Sequence, residues 1–117
     1  MSIERRYNKR IEYRHQAQIV YGGRGFPVTI KNLSAEGMFL ETHLLTIPTG
    51  NLVELEFTLG EQNWSISALV IHANRHGLGV AFKTSQPELP AEVKRLLRNP
   101  PPLVFGPALG INSNPSY

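Results

Sequence analysis

The sequence predicts a mainly β protein, a small antiparallel barrel or sandwich of six strands with one helix near the C-terminus. Three observations support this fold class. Apolar and polar residues alternate in short runs along most of the chain, which is the period of a half-buried strand. Clusters of glycine, asparagine and proline separate these runs. The apolar spacing becomes helical only in residues 90–98.

The first three predicted strands occupy the N-terminal third of the chain: residues 17–21, 26–30 and 38–41. Glycines at 22, 23 and 25 close the first strand. Pro27 cannot donate to a ladder, so the second strand begins there or lies on an edge. Residues 32–37 interrupt the alternation before the third strand resumes it.

The last three predicted strands are residues 53–59, 64–72 and 78–82. The first of them has the clearest alternation, and we expect its polar residues Glu54 and Glu56 to face outward. Residues 60–63 indicate a tight reversal, hence a hairpin into the next strand. Trp64 is expected in the core or on the barrel face.

One helix is predicted over residues 90–98, where Val93, Leu96 and Leu97 recur at i, i+3 and i+4. Pro90 suits the first turn of a helix. Basic residues favour the C-terminal end, and Asn99-Pro100 ends the helix. We expect this helix to cap the barrel.

Charge and composition divide the chain into three parts: a flexible basic arm (1–14), a barrel domain with its closing helix (15–98) and a proline-rich tail (99–117). The arm holds five basic and two acidic residues, while the remainder is balanced at seven of each. The tail holds five prolines and no charge, so we expect it to be disordered, although Leu103, Val104 and Phe105 leave docking open.

Several functional classes are excluded by composition. The chain has no cysteine and no aspartate, and no nucleophile–base pair, metal cluster or paired acids can be assembled, so we predict neither an enzyme nor a cofactor or metal site. No apolar run is long enough to span a bilayer, and no secretory signal is evident. We predict one soluble, cytoplasmic domain without membrane insertion, either a monomer or a weak dimer.

Two short motifs carry the functional argument. The first is R-x-x-x-R, formed by Arg6 and Arg10 within RRYNKR at 5–10, and the second is N-x-S-x-x-G in NLSAEG at 32–37. Because the positive charge is concentrated at one point, it suits a compact anion better than a nucleic-acid polymer. Arginine forks bind phosphate or a guanine edge in bidentate fashion, and their flat faces stack on purines.

Together, in this order and followed by GLGVAF at 77–82 and a helix with a Leu96-Leu97 pair, these motifs resemble the PilZ domain, a bacterial receptor for cyclic di-GMP. The resemblance covers residues 4 to about 98. It implies a split six-stranded barrel, cyclic di-GMP as ligand, and signalling that controls outputs such as motility and biofilm through an unknown downstream protein.

The predicted binding residues are Arg5, Arg6, Arg10, Asn32, Ser34, Gly37 and His72. Asn32 and Ser34 offer donors and acceptors, and Gly37 permits either a positive φ or close backbone approach. The family comparison suggests His72 against a guanine. We expect the arm to be mobile without ligand and to wrap over it on binding.

Three alternatives to this receptor stay open. The arginines could be a solvated basic leader, and the second motif merely a turn. The protein could be a PilZ-like adaptor that binds partners without nucleotide. A small barrel that binds single-stranded nucleic acid is disfavoured, because its strands are neutral. Whether one nucleotide or a stacked pair is bound stays undecided.

Overall fold

Six antiparallel strands close into a barrel in the computed structural model, which describes residues 9–43 and 45–99. The elements are β1 (Ile11–Tyr21), β2 (Arg24–Leu33), β3 (Gly37–Glu41), β4 (Leu52–Leu59), β5 (Gln62–Asn74), β6 (Gly77–Phe82) and α1 (Glu88–Arg98). Around the barrel the order is β1-β2-β3-β6-β5-β4. The predicted mainly β class with one C-terminal helix is confirmed. The strands form a closed barrel and not a sandwich.

Alternation places the core inside the barrel. In β4 the apolar residues are buried, whereas Glu54 and Glu56 lie on the outer side as predicted. Ile47, from the connection between β3 and β4, is fully buried in the same core. Trp64 is half-buried and packs against this core, with its ring stacked on Phe57 at 6.1 Å between centroids. The core therefore consists mainly of the inward side chains of the strands, to which Ile47 and, from α1, Leu89 and Val93 are added.

Strand β1 is longer than predicted, since it begins at Ile11 and not at residue 17. Residues 11–14, which the sequence analysis assigned to the arm, therefore lie in the barrel. Alternation continues through this stretch, with Ile11 and Tyr13 turned toward the core and Glu12 and Arg14 outward. Pairing with β2 supplies the ladder bonds that stabilise the polar positions.

The position of Pro27 agrees with its chemistry. Pro27 lies in β2 opposite Gln18 of β1. Pairing of β2 with β3 begins only at Thr29, so Pro27 occupies a part of the strand with a single neighbour. A missing backbone N–H is tolerated there, as the sequence predicted for an edge.

Helix α1 closes one end of the barrel and starts two residues earlier than predicted. Pro90 lies in its first turn, where a missing N–H costs no intrahelical bond. The buried stripe is Leu89, Val93 and half-buried Leu96, whereas Leu97 is 56% exposed. The prediction that Leu97 belongs to the packed face is therefore wrong, because burial extends one turn toward the N-terminus instead.

Two β-bulges shape the outer face of the barrel. Register shifts occur in β2 between Ile30 and Asn32 and in β5 between Val70 and His72. Ile30 and Val70 point inward, so strict alternation would also turn Asn32 and His72 inward. An extra residue in each strand reverses this, and both side chains face outward.

Candidate functional site

The turn between β2 and β3, residues 32–37, folds around Ser34. This residue is buried, with 1% of its surface exposed. Its backbone N–H donates to the carbonyl oxygen of Gly37 at 2.8 Å, and its hydroxyl oxygen accepts from the N–H of Glu36 at 3.1 Å. Short hydroxyl side chains are suited to such local bonds. Ser34 thus holds the turn from inside, and contact of its hydroxyl with a ligand stays a prediction.

Gly37 is required by the neighbouring strand. Its φ lies outside the left-handed region. A Cβ at this position would collide with the carbonyl oxygen of Val80 and lie 3.3 Å from the Cα of Ala81. Of the two reasons predicted for this glycine, close backbone approach is confirmed, and the approaching backbone is that of β6.

Arg10 joins the two sequence motifs. It precedes β1 directly, and its guanidinium Nη1 donates to Oδ1 of Asn32 at 3.1 Å. The pairing of Glu12 with Asn32 in the β1–β2 ladder fixes this proximity. Arg10 is exposed and Asn32 half-buried, so both retain surface for a ligand. Arg5 and Arg6 lie outside the described residues.

A single row of residues crosses four strands next to this pair. Asn32 is paired with Phe39, Phe39 with Gly79, and Gly79 with His72. Neighbouring strands lie about 4.8 Å apart, so the row spans roughly 14 Å. Asn32 and His72, both predicted binding residues, therefore lie at opposite ends of this row. We call the row on the outer surface, Asn32, Phe39, Gly79 and His72, the strip.

Phe39 and two glycines form the floor of this strip. A Cβ on Gly77 would lie 3.1 Å from Cε2 of the Phe39 ring, and one on Gly79 would lie 3.9 Å from its Cδ1. The ring of Phe39 therefore lies over backbone that bears no side chains. Phe39 is half-buried, so part of its side chain remains exposed.

His72 is held by its neighbour Asn74 at the far end of the strip. Oδ1 of Asn74 accepts from the N–H groups of His76 and Gly77, at 2.7 and 3.2 Å. Its Nδ2 must then be the atom that donates to Nε2 of His72 at 3.0 Å. A neutral imidazole in this bond carries its proton on Nδ1. His72 thus presents an N–H donor away from Asn74.

The sequence model of the PilZ domain matches residues 4–99 of this chain. The chain belongs to the PilZ domain family. PilZ domains are ligand-binding domains of the cyclic di-GMP receptor family, so the resemblance drawn from the two motifs is confirmed. The match begins before the first arginine of the pair and ends at the close of α1.

Among solved structures, the crystal structure of an uncharacterized Legionella protein is similar to this PilZ domain. The similarity covers 77% of this chain and 88% of that one, with a TM-score of 0.47 and 14% sequence identity. A search of the curated proteins gives no match.

An ion pair borders the strip of this PilZ domain. The guanidinium of Arg14 reaches across β2 and donates to both carboxylate oxygens of Glu41, at 2.7 and 2.9 Å. The bond from Arg14 lowers the pKa of the Glu41 carboxyl below its ordinary value, and Lys31 and His43 act in the same direction. The bond to Glu41 likewise raises the pKa of Arg14. The pair is therefore charged at neutral pH.

Among the residues that the structure describes, the strip is an open face that lacks a second wall. A cavity of about 390 Å³ lies beyond Glu41, lined mainly by apolar parts of β2 and by Leu45. It does not include Asn32, Phe39 or His72. A ligand laid on the strip would be covered on one side only, so a second wall has to come from elsewhere in the chain or from a partner.

Sequence reasoning missed Phe39 as a candidate site residue. Its type and its place two residues after Gly37 were visible, but they predicted only an alternating strand. The pairing of β3 with β6 decides its role, because that register places two glycines beneath the ring. The G-x-G pattern at 77–79 was the available signal, since paired glycines on one face leave room for a neighbouring ring.

Within the described residues, no helix has both the length and the apolar character needed to cross a bilayer. Residues 9–43 and 45–99 also contain no group of three or more histidine and acidic side chains placed to hold a metal ion.

Proposed function

We propose that this PilZ domain binds cyclic di-GMP on the strip between Asn32 and His72, beneath arginines of the R-x-x-x-R motif. The observation that carries the proposal is the hydrogen bond between Arg10 and Asn32, at 3.1 Å. It joins two motifs that are twenty-two residues apart in the sequence. Family membership supplies the ligand class.

The chemistry of the strip suits a purine dinucleotide. A guanine stacks on the exposed part of Phe39, with the glycines of β6 providing clearance for its plane. The amide of Asn32 can donate to or accept from the edge of that base, and His72 offers an N–H donor at the other end. Arg10 supplies a fork for a phosphate or for the O6 and N7 edge of guanine.

The missing wall would be the segment before Arg10. In this proposal, residues 4–9 fold over the bound nucleotide and bring Arg5 and Arg6 to its upper side. Arg6 lies four residues before Arg10, so the two guanidiniums can hold one compact ligand from different directions. The covered ligand then presents a new surface to a downstream protein.

Calorimetric titration with cyclic di-GMP tests the proposal. We expect Arg6→Ala and Arg10→Ala each to lose about 1–3 kcal/mol of binding free energy, the range for a bidentate contact to guanine or phosphate. Asn32→Ala should weaken binding in the same direction. Arg95→Ala is the matched control, because Arg95 bonds Glu92 on α1 and should leave the affinity unchanged.

Titrations with cyclic di-GMP and with single-stranded DNA separate the alternative functions. Absence of binding by the folded wild type would favour the adaptor that acts without nucleotide. Binding of single-stranded DNA with a steep salt dependence would favour a small barrel that binds single-stranded nucleic acid. Unchanged affinity in all three site variants would place the nucleotide on another face.

A further inference from the structure

Arg14 continues the spacing of the arginine motif. Arg6, Arg10 and Arg14 follow one another at intervals of four residues. Arg14 lies on the outer side of β1, on the same face as the strip. Arg14 falls in the stretch where the β1–β2 register shifts, between the pair Glu12–Asn32 and the pair His15–Ile30. The fold therefore brings this third arginine to the edge of the candidate site.

The carboxylate that holds Arg14 adjoins the floor of the strip. Glu41 lies two residues after Phe39 on the same face of β3, a distance of about 7 Å along the strand. Glu41 is also paired with Gly77, one of the two glycines beneath the Phe39 ring. A ligand stacked on Phe39 would thus lie within reach of the Arg14 guanidinium.

The exposure and geometry of the Arg14–Glu41 ion pair would allow a phosphate to replace the carboxylate as acceptor. The two side chains are 61% and 35% exposed, and an ion pair this exposed is weak because water screens both charges. A planar fork that binds two carboxylate oxygens also fits two phosphate oxygens. Once released, Glu41 still has the cationic Lys31 as a neighbour, so its charge would not be left uncompensated.

We propose that Arg14 is a further phosphate-binding residue of this site, and that Glu41 occupies its guanidinium until a nucleotide phosphate replaces the carboxylate. This inference rests on the proposed function and deepens it. Glu41 then acts as an internal competitor that lowers the affinity. Arg14 differs from Arg10 in that its fork is held by two hydrogen bonds to one carboxylate, whereas Arg10 makes a single bond to an amide oxygen.

Calorimetric titration of cyclic di-GMP against four proteins tests the inference: wild type, Arg14→Gln, Glu41→Gln and the double variant. Removing the competitor in Glu41→Gln should tighten binding about two- to five-fold, the range for an exposed ion pair. Arg14→Gln should weaken it roughly five- to twenty-fold, as for a lost charge-assisted bond. The double variant should have the same affinity as Arg14→Gln, because Glu41 can compete for the ligand only when Arg14 is present.

Controls separate ligand contact from folding. Arg95→Gln removes the other exposed ion pair, with Glu92, and should bind like the wild type. Thermal unfolding shows whether each variant is folded, and Arg14→Lys keeps the charge without the fork and should bind with intermediate affinity. In the wild type, the side-chain Nε–H resonance of Arg14 should shift on addition of cyclic di-GMP.

Contradicting results are distinct for this inference and for the proposed function. If wild type binds and Arg10→Ala binds more weakly, while Arg14→Gln binds like wild type, the inference is overturned and the proposed function stands. Weaker binding by Glu41→Gln would also overturn it, because Glu41 would then be a ligand contact. If the folded wild type fails to bind, the proposed function itself is lost.

Discussion

Gly37 illustrates how a motif residue can be required by the fold itself. We predict that Gly37→Ala destabilises the protein by about 1–3 kcal/mol, the usual cost of overpacking, because the new Cβ meets backbone atoms of Val80 and Ala81. Urea unfolding measures the change. Gly25→Ala is the control, since its Cβ would meet only the flexible Gln18 side chain, and equal losses in both variants would contradict the explanation.

The carboxyl of Glu41 should titrate below its ordinary range. The bond from Arg14 lowers the pKa of Glu41, and the bond from Arg95 lowers that of Glu92. A carboxyl with a lowered pKa in the folded state adds stability above its unfolded pKa, about 4.3. This contribution is lost as the pH falls through the lower folded pKa.

Carbon-13 NMR titration of the glutamate carboxyls checks this prediction. The midpoint of Glu41 should return toward the ordinary value in Arg14→Gln, while that of Glu92 should stay lowered. A Glu41 midpoint that is insensitive to Arg14→Gln would show that the ion pair is not populated in solution.

Residue identities predicted some site roles and not others. Arg10 and Asn32 were predicted as members of one site, and the structure places them in contact at 3.1 Å. Ser34 was predicted as a ligand contact, but its burial could not be read from a motif that looks the same whether the hydroxyl faces in or out. Phe39 was missed because stacking clearance depends on which residues lie on the adjacent strand.

At the scale of elements, α1 should contribute to stability through its first two turns. Leu89→Ala should destabilise the protein by about 2–5 kcal/mol, since a fully buried leucine is truncated. Leu97→Ala, at a residue 56% exposed, should change stability by less than about 0.5 kcal/mol. Chemical denaturation of both variants measures the difference. A larger loss for Leu97→Ala would mean that the helix packs through another face.

Strand boundaries were predictable only where alternation was accompanied by apolar composition. Strands β4 and β6 were predicted to within a residue, because their inward positions are uniformly apolar. The first six residues of β1 were missed, because their outward positions are polar and their inward ones include His15. The two bulges leave no signature in a single sequence, yet they decide that Asn32 and His72 face outward.

In the whole molecule, the segment proposed to fold over the nucleotide has to end before β1, which begins at Ile11. Residues 11–14 lie in the barrel, so their amides should be protected from hydrogen exchange with or without cyclic di-GMP. Residues 4–10 should gain protection only with ligand, if they form the second wall. Exchange measured by mass spectrometry on short peptic fragments resolves the two stretches. Equal protection of residues 4–10 in both states would rule out closure by this segment.

Amide chemical-shift mapping during titration with cyclic di-GMP locates the bound nucleotide, which we propose to lie on the strip between Asn32 and His72. We predict that the largest shifts fall in residues 32–39 and 77–79 and at His72. If the shifts are concentrated instead in residues 56–65, on the face formed by β4 and the start of β5, cyclic di-GMP does not bind on the strip.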